Sequence, residues 1–248
     1  MSPKFLPQPW SSSSLMGYVY DARMPIAKER ILYEDQWLLA VTKLGGELVV
    51  RGKGRLDKLP LLDFLKKEYP TLQTIHRLDF ETSGVVVFAK SKTVLGKILE
   101  SKFAGWKKEY LALVLGALKR TEGDITFNLP ARSGEGKVAA LSRYKVEEAI
   151  GPVSLVHVTI ERGQRHQIRK HLSMIGNPLI LDDLYGIAKA NKEFGKFLKL
   201  HRFFLHASRV TFPHPMTGKI IEIIAPLPPM FESVLLKIRK LVKEGAGR

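Results

Sequence analysis

The stretch from His76 to Lys90 constrains this chain more than any other. Its first part, His76-Arg77-Leu78-Asp79-Phe80-Glu81-Thr82-Ser83-Gly84, gathers an imidazole, a guanidinium, two carboxylates and two hydroxyls. Its second part, Gly84–Lys90, is short and almost continuously apolar, the pattern of a strand buried at the centre of a sheet. A polar loop feeding a buried strand is a usual place for catalytic groups, because a rigid scaffold holds them where solvent and substrate still reach. A carboxylate there can serve as nucleophile or general base if a cation keeps it ionised. The structural alternative is an Arg–Asp pair that only pins the loop.

Around this stretch the pattern is regular from Ile31 onward. Ile31–Tyr33 and Trp37–Lys43 read as strands joined at Glu34-Asp35, and Leu59–Glu68 reads as a helix closed by Pro70. Thr93–Phe103 is expected to be a helix with Val94, Ile98 and Leu95 turned inward, followed by a strand at Glu109–Leu115. Ser154–Glu161 alternates as a strand, and Arg165–Ile175 carries Ile168, Leu172 and Ile175 at helical spacing. Val210–Phe212 and Lys219–Ile224 form a hairpin around Pro213–Gly218. A last helix, from about Met230 to Lys243, is expected to bury Val234, Leu235, Ile238, Leu241 and Val242. Strands that arrive both in hairpins and between helices predict an α+β fold, with a mixed, mainly antiparallel central sheet flanked by helices. Residues 1–28, broken by Pro3, Pro7, Pro9 and Ser11–Ser14, read as an N-terminal tail without a targeting signal. Residues 29–248 read as one catalytic domain.

Composition narrows the class of partner. The chain has 40 Lys+Arg against 24 Asp+Glu, a formal net charge of +16, so a polyanion is the expected partner. No basic amphipathic helix stands out to favour an acidic membrane surface, and no apolar run approaches the roughly 18 residues that span a bilayer. Cysteine is absent, which removes disulfide scaffolds, Cys-ligated zinc and thiol catalysis.

Two further clusters carry chemistry. Gly163-Gln164-Arg165-His166-Gln167-Ile168-Arg169-Lys170-His171, read as helical, sets Arg165 and Arg169 at i,i+4 while Ile168 turns inward. Such guanidinium groups hold a carboxylate ionised or contact phosphates; a solvated basic face is the plainer alternative. A metal site of His166, His171, Asp182 and Asp183 is disfavoured, since i,i+5 histidines face apart and Arg165, Arg169 and Lys170 repel a cation. In Lys108-Glu109-Tyr110, Tyr110 is either a core tyrosine or a ring on which a nucleobase stacks.

Taken in order, these segments resemble the RluA-type family of RNA pseudouridine synthases. The family's His-Arg-Leu-Asp-x-x-Thr-Ser-Gly motif is complete at His76–Gly84, and Lys108-Glu109-Tyr110 with Gly116 is similar to its Lys-x-Tyr segment. Arg165–His171, Gly176-Asn177-Pro178 and Asp182–Gly186 follow, then Leu205-His206-Ala207, Phe212-Pro213-His214-Pro215 and Pro226–Pro228. The likeness spans roughly residues 31–230. Three places depart from the pattern: Gln164 stands where the family often has arginine, Lys43-Leu44-Gly45-Gly46 lacks a proline, and Leu181 replaces a common glycine.

The resemblance implies the pseudouridine-synthase catalytic fold and isomerisation of a uridine within ribosomal or transfer RNA. It makes Asp79 the catalytic carboxylate, Tyr110 the ring stacked on uracil and an aid to proton removal, and Arg169 the cation paired with Asp79, with Arg165 as substitute. His76, Arg77, Lys108, Arg165, His166 and Gln167 are the expected RNA contacts. Arg77 is also the candidate to fill the space that the flipped base leaves. The reaction moves no electrons to a carrier and needs no second substrate, so no cofactor and no metal are expected. A cytoplasmic monomer without an appended RNA-binding domain is expected. The competing expectation is a non-catalytic RNA-binding or ribosome-assembly protein on the same scaffold, which has no need of Asp79.

Overall fold

The computed structural model describes residues 26–52, 59–131, 134–200 and 202–245. After a short 3-10 turn at Lys28–Arg30, the elements run β1 (Ile31–Glu34), β2 (Leu38–Lys43), α1 (Leu61–Leu65), β3 (Gln73–Thr74), β4 (Ser83–Ala89) and α2 (Lys92–Glu100). There follow β5 (Lys107–Leu115), β6 (Glu122–Ile125), β7 (Leu129–Pro130), β8 (Lys137–Val138), β9 (Ser142–Ile150) and β10 (Val153–Ile160). The chain closes with α3 (Gln167–Met174), α4 (Ala188–Leu198), β11 (Leu205–Pro213), β12 (Ile220–Ile224) and α5 (Pro229–Gly245).

Ten strands share one sheet in the order β1-β2-β4-β11-β5-β10-β9-β6, with β12 beside β11 and β3 beside β4. Its pairings are antiparallel except β4 with β11. This is the mixed, mainly antiparallel α+β fold that the strand pattern predicts. The apolar run at residues 84–89 is buried throughout, because β4 lies between β2 and β11 with side chains packed on both faces. Val86 and Phe88 enter one apolar cluster with Leu39, Val41 and Leu172, while Val85 and Val87 enter another with Ile98, Trp106 and Phe212. A third cluster joins α5, through Phe231, Val234, Leu235 and Ile238, to Leu113 and Phe204.

Several boundaries differ from expectation, each for a local reason. The expected tail at 1–28 lies outside the described residues as far as residue 25, but Ile26 is buried in the core and Arg30 is tied to the Thr42 carbonyl. The helix expected at Leu59–Glu68 shrinks to the five residues of α1. The one expected at Thr93–Phe103 ends at Glu100, beyond which Lys102 and Phe103 adopt left-handed backbone. Leu241, expected inside, is exposed on α5. Nor is α4, although Phe194 and Leu198 at helical spacing reach the third cluster. β9 is not among the elements expected from the sequence: Arg143, Lys145 and Glu147 alternate with Tyr144 and Val146, but only two apolar residues stand before Glu148 breaks the pattern. The neighbours of β9, β10 and β6, supply its pairing. Among the described residues no helix is long and apolar enough to cross a membrane.

The parallel β4–β11 pair is built around its polar ends. Ser83 Oγ and Nδ1 of the buried His206 are 2.9 Å apart, and the other ring nitrogen lies 3.3 Å from the Ala225 carbonyl. Burial lowers the His206 pKa to about 4, and lowers that of His76 to about 3, so both rings are neutral in the folded protein. An unfolded chain has histidines near 6.5 and binds protons that the fold refuses as pH drops. Their stabilising neutrality is therefore present above about pH 6.5 and lost as pH falls toward the folded values. Urea unfolding is expected to show a loss of roughly 2 to 4 kcal/mol between about pH 7.5 and 5. His206→Gln should flatten part of that slope.

Candidate active site

The loop before β4 is held from below by a buried lysine. Lys43 Nζ donates to the carbonyls of Leu44 (3.0 Å), Phe80 (2.9 Å) and Thr82 (2.6 Å), and the Gly46 amide donates to Phe80 as well (2.8 Å). Burial pulls the Lys43 pKa down to about 7, against the opposing charges of Glu47 and Asp79. Three carbonyl acceptors suit an ammonium, since a neutral amine has only two N–H groups to donate. The segment Lys43-Leu44-Gly45-Gly46 thus grips the Asp79 loop through its lysine and glycine backbone. A Cβ on Gly45 would come within 2.9 Å of the Glu81 carbonyl, so the approach needs glycine.

Asp79 crowns this loop. Its Oδ2 lies 3.6 Å from Arg169 Nη1 and its Oδ1 3.7 Å from His166 Nε2, with the side chain 31% exposed. Arg169 comes from the first turns of α3 and is held by more than Asp79. Its Nε and Nη2 donate to the two carboxylate oxygens of Asp182 at 2.7 and 2.8 Å. Its guanidinium also lies over the rings of Phe203 and Tyr185, at 4.4 and 5.1 Å. Burial alone would lower its pKa, but the hydrogen bonds and charge of Asp182, followed by Asp79, raise it above the ordinary value. Arg169 is therefore a fixed cation presented to Asp79, and its bidentate fork is spent on Asp182.

His166 occupies a left-handed backbone conformation (φ 55°) at the start of α3. Its Nδ1 is 3.0 Å from the Tyr185 hydroxyl, and burial with the neighbouring cations lowers its pKa despite Asp79. Because α3 begins only at Gln167, Arg165 stands outside the helix and is exposed, and the expected i,i+4 relation to Arg169 does not hold. Of the two arginines, Arg169 is the one brought to Asp79.

Tyr110 on β5 is buried beside Asp79, and burial followed by that charge pushes its phenol above the usual range. It therefore presents a neutral ring. Lys108, two residues earlier on the same face, lies over the rings of Phe103 and Trp106. Arg77, two residues before Asp79 in the chain, is exposed.

Two expected RNA contacts turn inward instead. His76 Nε2 accepts the Val87 amide of β4 (3.1 Å), its ring packs edge-on to Trp106, and it offers no positive charge. Gln167 is buried and joins the Leu141 carbonyl, the Ser142 hydroxyl and the Gln164 amide. The discounted metal set is likewise spread out: His171 nitrogens face Ser142 Oγ and the Phe127 carbonyl, while Asp182 serves Arg169.

Asp182, Tyr185, Phe203 and Lys43 are site residues that the sequence reading did not assign. Asp182 is fully buried and also accepts the Leu184 and Tyr185 amides, while Asn191 of α4 donates to its carbonyl. Removing one partner of a buried ion pair strands the other. Asp182→Ala is expected to cost about 3 to 5 kcal/mol in urea unfolding and to lower turnover by releasing Arg169.

Comparison with known proteins agrees with this geometry. Residues 38–174 match the RNA pseudouridylate synthase family model. The ribosomal large subunit pseudouridine synthase C of Yersinia pestis is 36% identical over 226 residues, covering 85% of this chain and 69% of the relative. That of Escherichia coli (strain K12) is 36% identical over 228 residues, covering 84% and 70%. The fold is shared with human RNA pseudouridylate synthase domain containing 4, at TM-score 0.70 and 23% identity over 84% of this chain and 92% of that one. A mixed sheet that brings Asp79 from the loop before β4 together with Arg169 of α3 and Tyr110 of β5, with these matches, defines an isomerase that acts on RNA. The chain belongs to the RNA pseudouridylate synthase family, in its RluA-type branch.

Proposed function

We propose that this chain isomerises a particular uridine of large-subunit ribosomal RNA to pseudouridine, with Asp79 as its catalytic carboxylate. The observation that carries this reading is the Asp79 carboxylate set against Arg169 and beside the buried Tyr110 ring at the end of β4. The ribosomal target rests on the names of the similar bacterial enzymes.

In the reaction the N1–C1′ bond breaks and a C5–C1′ bond forms; C5 loses a proton and N1 gains one. Nothing is oxidised and no second substrate enters, so this chain's own groups suffice for the steps. The base must leave its stack, at roughly a few kcal/mol. The Tyr110 ring offers a face for the flipped uracil, and exposed Arg77 fills the vacated place in the RNA. Asp79 engages the uridine with the Arg169 guanidinium 3.6 Å from its carboxylate. Tyr110 stacks on the uracil and excludes water, and its phenolic oxygen, beside Asp79, is the group through which the C5 proton leaves. Arg165 and Lys108 remain as phosphate contacts at the rim, and His166 borders the carboxylate.

The test is pseudouridine mapping of ribosomal and transfer RNA from cells with and without the protein, followed by incubation of the unmodified RNA with the purified chain in chelator. One ribosomal uridine converted only in its presence is expected. Conversion in transfer RNA alone would overturn the target, and no conversion anywhere would overturn the activity. RNA affinity is also expected to fall steeply with salt, by roughly a thousandfold between about 50 and 200 mM if about six phosphates are neutralised.

A further inference from the structure

The loop that carries Asp182 forms one wall of a groove of about 740 Å³, with Leu181, Asp183 and Gly186 on that wall. α4 and the residue that caps it form the other, where Lys192 and Lys196 stand at i and i+4 on the helix and Lys199 follows at its left-handed C-cap. At about 1.5 Å per residue this row is about 10 Å long. All three lysines are exposed, and among the described residues none of their ammonium groups makes an ion pair or hydrogen bond. Glu193, the acidic residue of α4, is not among the groove's walls. Asp183 is the carboxylate that lines it.

The groove is tied to the site by short links. Asn191 of α4 accepts the Leu181 amide (2.8 Å) and donates to the Asp182 carbonyl (2.9 Å), and Asp182 in turn holds the cation facing Asp79. Gly186 is needed for this closeness, since a Cβ there would lie 2.3 Å from the Asp182 carbonyl. α4 is anchored to the site's own frame by these bonds. The groove's occupant must neutralise three unpartnered cations in a row, which a single anion does not.

We propose that the groove between α4 and the 181–186 loop is a phosphate track, in which Lys192, Lys196 and Lys199 bind the RNA backbone on one side of the target uridine. This rests on the reading of the chain as an enzyme that isomerises uridine in RNA. Lysines are suited to the task, because a compact charge on a flexible stem contacts phosphate without reading the base. The track would help to choose the uridine through the path the backbone takes into the site.

The test compares the wild-type chain with the triple variant Lys192→Ala, Lys196→Ala, Lys199→Ala and with the triple Lys→Arg variant, using unmodified ribosomal RNA as substrate and as binding probe. For the alanine triple, KM is expected to rise about tenfold or more while kcat stays within about twofold. The slope of log affinity against log salt should fall by about 2, as loss of three single-strand phosphate contacts requires. The arginine triple should retain most of the affinity. An unchanged KM and salt slope would overturn the proposal. So would a fall in kcat alone, which would mark α4 as a brace for Asp182. The salt slope needs no turnover, so an inactive wild-type chain would sink the isomerase reading without deciding the groove.

Discussion

Asp79→Asn is expected to abolish pseudouridine formation, by at least about a thousandfold, while leaving the fold and RNA affinity nearly unchanged. The substitution keeps the shape of the side chain and removes its charge. Arg169 loses little of its support, because its two short hydrogen bonds go to Asp182 and its faces to Phe203 and Tyr185. The contact to Asp79 is longer, 3.6 Å, and about a third exposed, so screening limits its worth to stability to about 1 kcal/mol. Urea unfolding should therefore show little difference, and binding of unmodified RNA should match the parent. Counting pseudouridine in that RNA after incubation decides the matter: clear residual turnover would remove Asp79 from the chemistry and return it to pinning the loop.

Gly84→Ala should do the opposite, destroying the fold before any question of catalysis arises. Gly84 has φ +117°, and a Cβ there would lie 2.2 Å from the Ala207 carbonyl oxygen and 2.6 Å from its carbonyl carbon and amide nitrogen. These are backbone atoms of the neighbouring strand, in the parallel register Ala207↔Gly84, so neither side can yield without parting β4 from β11. A cost above about 4 kcal/mol is expected, a large share of the 5 to 15 kcal/mol that holds a typical domain together. Gly176→Ala is the control. Its φ is also positive, +87°, but nothing stands within 4 Å of a Cβ, and a loss of about 1 kcal/mol is expected. Melting followed by circular dichroism separates the two; a Gly84→Ala chain as stable as Gly176→Ala would mean that the strands can separate locally.

The same pair of strands shows how a motif divides between chemistry and architecture. In His76–Gly84, Asp79 faces the site, but His76 braces β4 through the Val87 amide, Ser83 meets His206, and Gly84 permits the close approach of β11. A run of polar residues gives no hint of that division, because each partner is supplied by a distant part of the chain. Gln167 behaves likewise: it sits among cations in the sequence, yet its amide closes the gap between α3 and β9.

The strands read at Gly84–Lys90, Glu109–Leu115 and Ser154–Glu161, which fold as β4, β5 and β10 with ends shifted by one or two residues, were legible in the chain before folding, as were the β11–β12 hairpin and the loop on which Asp79 sits. Those are local matters, since alternation or unbroken apolarity over a few residues states how many faces are buried. Tertiary structure alone decided which arginine reaches Asp79. Arg165 falls outside α3 because His166 turns left-handed, and Arg169 is fixed by Asp182, thirteen residues away, by the Tyr185 ring on the same loop and by the ring of Phe203. It also decided that β9, with charges at most outward positions, is a strand, and that residues around Asn191 form a helix. In each case the deciding partner lies elsewhere in the chain, and pairing, burial and charge take their values only when folding brings that partner within a few ångströms.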